Sequence, residues 1–194
     1  MFPTAHDIIE DNLDAALQVI DGLLSSGNRV LIVSKPSPIC IERICDQCSP
    51  RREHILFRFT ITARDDDILS FWEPGAPPYR ERTEALELAF EKGFATSVSV
   101  EPMLDIRDIG ELVAELSPIV THSIWIGMMN KIDERVRITC DKTAAEVARI
   151  RSEQTDERIR ELFESLRDNP LIRWKESIKR VVGIELLSES GLDR

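Results

Sequence analysis

Apolar positions in this chain recur with two periods, and the switch between them marks its elements. Phe57, Phe59 and Ile61 alternate with Arg58, Thr60 and Thr62, which predicts a strand with one apolar and one hydrogen-bonding side. Val98 and Val100 share one face of a second strand, while Ser97, Ser99 and Glu101 share the other and put a carboxylate at its C-terminal end. Arg29 to Ser34 is a near-continuous apolar run of the kind a buried parallel strand shows, and His122 to Ile126 reads as a further strand. Met1 to Thr4 reads as the end of another. Between these runs the period lengthens. Leu13, Ala16, Leu17, Ile20 and Leu24 recur at helical spacing up to Gly27-Asn28, residues 38–45 predict a short helix, and a helix begins near Tyr79 after a long polar loop. Ile109, Leu112, Val113 and Leu116 form another stripe, ended by Ser117-Pro118. Thr143 to Arg151 and Thr155 to Leu166 are both helical by pattern, the second capped by Thr155, and a last helix is expected around Trp174 to Val181. Strands alternating with helices every twenty to forty residues predict an α/β chain with a parallel sheet and right-handed crossovers, in about five units.

Composition sets limits on this picture. The 194 residues, 42% hydrophobic, suit a single domain with a core. A formal net charge of -10, spread along the helices, argues against a general binder of phosphate backbones and leaves open a small-molecule or nucleic-acid-derived substrate. No apolar run approaches the roughly eighteen residues of a membrane span, and the opening FPTAHD lacks the regions of a secretory signal. A cytoplasmic protein without a membrane partner is therefore expected. In that compartment Cys40, Cys45, Cys48 and Cys140 read as free thiols, ligands or core filler, not as disulfides.

Candidate chemistry collects where the strands end, because parallel sheets bind ligands at their C-terminal ends. His6 and Asp7 follow the first strand and Lys35 closes the second; with Arg58 they are the candidate substrate-binding residues, against the plainer reading of Asp7 as the start of a turn. Arg58, Thr60 and Thr62 on one strand face suit a ribose or carboxylate, unless Arg58 pairs with a buried acid. Glu101 suits a ligand amine or hydroxyl; the competing reading is a structural ion pair with Arg58 or Arg82. Trp125, Gly127 and Asn130 end the last strand, where Gly127 allows close backbone approach. The stiff loop Glu73 to Pro78 either shapes a pocket or turns a corner, and Asp65 to Asp67 reads as a solvated turn. Cys40, Cys45 and Cys48 offer the one thiol set within reach of a metal, yet Cys40 and Cys45 point about 140° apart on a helix and sit among core isoleucines, so no metal is assigned to them.

At these residues the chain resembles a known family. MFPTAHDI, GNRVLIVSKP, LFRFTIT, WEPGAPPYRER, TSVSVEPMLD and SIWIGMMN, in this order, are similar to the barrel of radical S-adenosylmethionine proteins of the spore photoproduct lyase-like group, and NPLIRWKESI less distinctly so. The resemblance implies a partial (β/α) TIM-like barrel with outer helices, a barrel core over residues 1–130 and a helical extension over 131–194 within one domain. It also implies S-adenosylmethionine and a [4Fe-4S] cluster as cofactors, with reductive cleavage of the sulfonium and hydrogen abstraction from a substrate. By the resemblance Thr60, Thr62, Ser99, Glu101, Trp125, Gly127 and Asn130 line the cofactor side. The chain departs from the pattern in two places: it starts at what would be the second strand, without a CxxxCxxC cluster loop, and it has Met128 where a Lys is expected after Trp-Ile-Gly. Three readings follow: an enzyme whose cluster unit lies outside this chain, a non-catalytic module that completes its open sheet edge with a partner or as a homo-oligomer, or catalysis inside this chain with Cys40, Cys45 and Cys48 recruited as metal ligands.

Overall fold

The computed structural model describes residues 1–3 and 5–186. Five strands, β1 (Val30–Ser34), β2 (Ile55–Thr60), β3 (Ala95–Val100), β4 (Ser123–Ile126) and β5 (Ile172–Trp174), form one sheet in sequence order with every neighbouring pair parallel. Phe2 adds a single parallel bridge outside β1, its N–H donating to the Leu31 carbonyl at 2.8 Å and its carbonyl accepting from Val33 N–H at 3.0 Å. The apolar start of the chain is thus a one-residue strand stub.

The helices are α1 (Leu13–Ser25), α2 (Pro38–Cys48), α3 (Asp66–Trp72), α4 (Tyr79–Glu91), α5 (Ile109–Leu116), α6 (Ile132–Arg135), α7 (Asp141–Glu153), α8 (Asp156–Leu166) and α9 (Glu176–Val182). Consecutive parallel strands joined by crossovers of one hand send each connecting helix to the same side. The apolar stripes of α1, α2, α4, α5, α8 and α9 accordingly merge with Val30, Ile32, Phe57, Phe59, Val98, Val100, Ile124 and Ile126 into one core. The opposite face of the sheet carries the intervening residues, and α3, α6 and α7 pack over the C-terminal ends of the strands in two smaller apolar clusters around Leu69 and Ile150.

Two expectations change. The helix expected around Trp174 to Val181 starts at Glu176, and Ile172–Trp174 before it is β5, so the segment after residue 130 supplies a strand of the sheet as well as helices. The long polar loop contains α3: Asp65 caps it, its carboxylate accepting from the N–H groups of Asp67 at 2.8 Å and Ile68 at 3.4 Å, while Asp66 accepts from Tyr79 N–H at 2.7 Å. The acidic triplet is a helix start and not a solvated turn, because the cap satisfies donors that the first turn leaves free. No helix among the described residues is long and apolar enough to cross a membrane.

Candidate functional site

Strand alternation sorts the polar residues onto the face that the helices leave free, and register stacks them in rows. Val33, Arg58, Ser97 and Ser123 lie level across β1 to β4, and Thr60, Ser99, Trp125 and Arg173 lie level across β2 to β5. Beyond these rows, at the strand ends, come Glu101, Gly127 and Lys175.

The centre of the face is Trp125. Its indole N–H donates to Ser123 Oγ at 3.0 Å, and two cations flank its ring, the Arg58 guanidinium at 5.2 Å and Lys175 Nζ at 5.3 Å from the centroid. Cations at this distance over an indole are attracted by the negative face of the ring. Arg58 Nε donates to Ser97 Oγ at 3.2 Å, and Ser97 Oγ donates to the Ser123 carbonyl at 2.7 Å. His122 Nδ1 lies 2.8 Å from Ser123 Oγ. No carboxylate pairs with Arg58 among the described residues. Burial therefore acts unopposed and pulls the Arg58 pKa below the ordinary guanidinium value. The same loss of solvent, with the charges of Arg58 and Arg173, holds the His122 imidazole below its ordinary value.

Glu101 meets neither Arg58 nor Arg82. Its partner is Lys175, just past β5, at 2.9 Å, with both side chains about a third exposed. Gly127 makes room for that pair: a Cβ there would stand 3.0 Å from Lys175 Cβ and Cγ and 3.1 Å from Glu101 Cδ. The close approach that Gly127 permits is therefore first of all to these two side chains. Lys175 was not apparent from the sequence, and its only local signal is the two-residue step from Arg173, which puts both on one face of an extended segment.

Thr62 and Arg82 belong to the scaffold. Arg82 is fully buried on α4; it pairs with Glu73 at 2.7 Å, donates through Nε to the Pro77 carbonyl at 2.7 Å and through Nη1 to the Thr60 carbonyl at 3.2 Å. Thr62, also fully buried, donates to Glu73 Oε1 at 3.2 Å. The Glu73 to Pro78 loop is thereby pinned to the end of β2, and Thr62 faces that anchor, not the open face with Thr60. Asp7 accepts from Lys35 N–H at 2.7 Å, Lys35 Nζ at 3.2 Å and Ser34 Oγ at 3.3 Å, contacts that tie it to the end of β1 and not to the next residues of a local turn. Asp7 and Lys35 also line a cleft of about 260 Å3 whose far wall is the Glu73 to Pro77 loop. His6 and Asn130 are exposed and bond to no other described residue. A second cleft, of about 330 Å3, opens at the N-terminal ends of β1 to β3, away from the expected site residues.

The cysteines do not form a ligand set. Cys40, Cys45 and Cys48 are all buried on α2 within the helix-side core, and burial raises all three thiols, that of Cys45 to about 12. Among the described residues no group of three or more His, Cys, Asp or Glu side chains is placed to hold a metal ion. These donors do not fit the cluster that the resemblance implies.

No family model, curated protein or solved structure matches this chain.

Proposed function

We propose that this chain forms the ligand-binding part of a radical S-adenosylmethionine protein of the spore photoproduct lyase-like kind, folded as a partial (β/α) barrel. The observation that carries the reading is the polar face of the sheet at its C-terminal end, where Trp125 lies between Arg58 and Lys175 and Glu101 stands at the rim. The consecutive parallel order β1 to β5 with helices on one side is the arrangement such a barrel requires, and six segments of similar sequence occur in the order the family has them. The parent reaction would take one electron from a reductant outside these residues: the sulfonium C–S bond would break, methionine would leave, and the 5′-deoxyadenosyl radical would abstract hydrogen from a substrate. This chain's own residues bind and orient. Arg58, held over the Trp125 ring, offers a ligand carboxylate a cation that no acid among the described residues takes, and Glu101 accepts from an amine or a sugar hydroxyl. Thr60 and Ser99 supply hydroxyls level with the indole.

Calorimetric titration with S-adenosylmethionine and with 5′-deoxyadenosine tests the assignment. Glu101→Ala and Thr60→Ala are each expected to weaken binding, Glu101→Ala by about tenfold for one charged hydrogen bond lost. Unchanged affinity in both variants would overturn it.

A second reading is favoured by the half-exposed apolar residues Leu31, Val33 and Leu56 on the same face and by the one-bridge edge at Phe2. On this reading the chain is a non-catalytic subunit whose open sheet is completed by another chain or a second copy. Sedimentation separates the two: a concentration-dependent oligomer supports the subunit, and a monomer that binds the adenosyl ligand removes it.

A further inference from the structure

Helix α7 belongs to none of the strand rows, yet the residue that caps its C-terminal end reaches both loops that frame the rim. Gln154 is nine-tenths buried, and both ends of its side-chain amide are bonded: Nε2 donates to the Met103 carbonyl at 2.6 Å and Oε1 accepts from Met129 N–H at 2.9 Å. Met103 lies two residues after Glu101, and Met129 lies two residues after Gly127. One amide therefore spans the loop that begins with the rim carboxylate and the loop that gives it room. The main chain also ties the two segments together, Met103 N–H donating to the Gly127 carbonyl at 2.8 Å and Gly127 N–H to the Val100 carbonyl at 3.0 Å. A turn earlier on α7, Arg149 donates to the Leu104 carbonyl at 3.0 Å while paired with Glu146 and Glu153, both at 2.8 Å, so the helix is anchored to the first loop at two adjacent residues.

We propose that Gln154 is a positioning residue for the rim: by bridging Met103 and Met129 it fixes the separation of the Glu101 and Gly127 loops, and with it the Glu101–Lys175 contact. The proposal rests on the reading of the open face as a ligand site. Its physical basis is the fork of a carboxamide, which donates on one side and accepts on the other, so no other residue of this size satisfies both loops at once. Glu at this position would face the Met103 carbonyl with an acceptor, and Leu would leave a buried carbonyl and a buried N–H without partners.

The test is a double-mutant cycle. Gln154→Leu is expected to weaken 5′-deoxyadenosine binding about tenfold in the wild-type background and to have almost no further effect once Glu101 is Ala, because a residue that acts through Glu101 has nothing left to position. Equal losses in both backgrounds would overturn the proposal, since a general loss of packing adds independently. Ligand-free nuclear magnetic resonance supplies a readout that does not depend on the proposed ligand. In Gln154→Leu the Gly127 amide and the Trp125 indole N–H are expected to shift while the amides of β1 and β2 stay in place; shifts spread evenly over the sheet, or none at Gly127, would also overturn it. If the wild-type protein binds neither adenosyl compound, the functional reading falls, and the bridging role stands or falls on these shifts alone.

Discussion

On the helix side of the sheet Phe57, Phe59, Val98, Val100, Ile124 and Ile126 have no exposed surface; one residue along the same strands, Arg58 and Thr60 are half-buried and Trp125 keeps only a small exposed fraction. The backbone is shared, so the difference lies in the side chains and in what covers them. Helices seal the first face with apolar contact. Residues of the second face cover one another: Arg58 and Trp125 bond to and roof Ser97 and Ser123, which are both buried. A face that has to be covered by its own arginine and tryptophan is unusual for a structure optimised only for stability, because a half-buried guanidinium without an acid partner is costly to hold. On the proposed reading, this is a site kept ready for an anionic ligand.

The contrast breaks most sharply on the sealed side. Phe57→Ala is expected to cost about 3–5 kcal/mol, the range for emptying a large aromatic position in a close-packed core. Phe57 contacts the rings of Phe59 and Phe94 at centroid distances of 5.3 and 5.4 Å, so the cavity has rigid walls. Urea unfolding measures this, and a loss under about 1 kcal/mol would mean that the helix layer is not packed against β2 as described.

The buried charge pair gives the next largest effect. Arg82→Leu leaves the nearly buried Glu73 carboxylate without its cation, and removal of one partner of such a pair costs about 3 kcal/mol. Adding Glu73→Leu is expected to recover part of that loss, since the remaining penalty of an uncompensated charge disappears. A double variant no more stable than Arg82→Leu alone would show that the loop is held by its prolines and not by the pair.

The sheet and its apolar side were legible because a period of two in β2 and β3 is long enough to count, and the α1 and α5 stripes are regular over two turns or more. Strand β5 escaped because three residues cannot establish a period, and its last residue, Trp174, also falls in a helical stripe with Ile178 four residues on. Helix α3 escaped because seven residues opening with two aspartates resemble a turn until Asp65 is seen to cap them. On the candidate face, Glu101, Trp125 and Gly127 could be named from strand ends and a turn glycine, and Arg58 from strand alternation, whereas the pairing of Glu101 with Lys175 could not. Lys175 and Gln154 reach the rim from segments far along the chain, and a long-range contact between two polar side chains leaves no local pattern. Glu73 and Arg82 lie close in sequence, but only the fold of the intervening loop turns them toward each other.

The smallest effect tests the open face through its histidine. The folded pKa of His122 is depressed, first by lost solvent and then by Arg58 and Arg173, so below the ordinary value of 6.5 the unfolded chain takes up a proton more readily than the folded one. Stability is then fully present above about pH 6.5 and declines as pH falls toward the folded pKa, levelling off below it. Because His122 lies at the surface, solvent screening limits the loss to a few tenths of a kcal/mol. Arg58→Ala removes the larger of the two charge contributions and is expected to raise the His122 pKa part of the way back while changing overall stability by less than about 1 kcal/mol. Titration of the His122 ring resonances by nuclear magnetic resonance reads this directly. A His122 curve unmoved by Arg58→Ala would mean that the guanidinium does not project over the Ser123 end of the face. The roof over Ser97 and Ser123 would then be Trp125 alone.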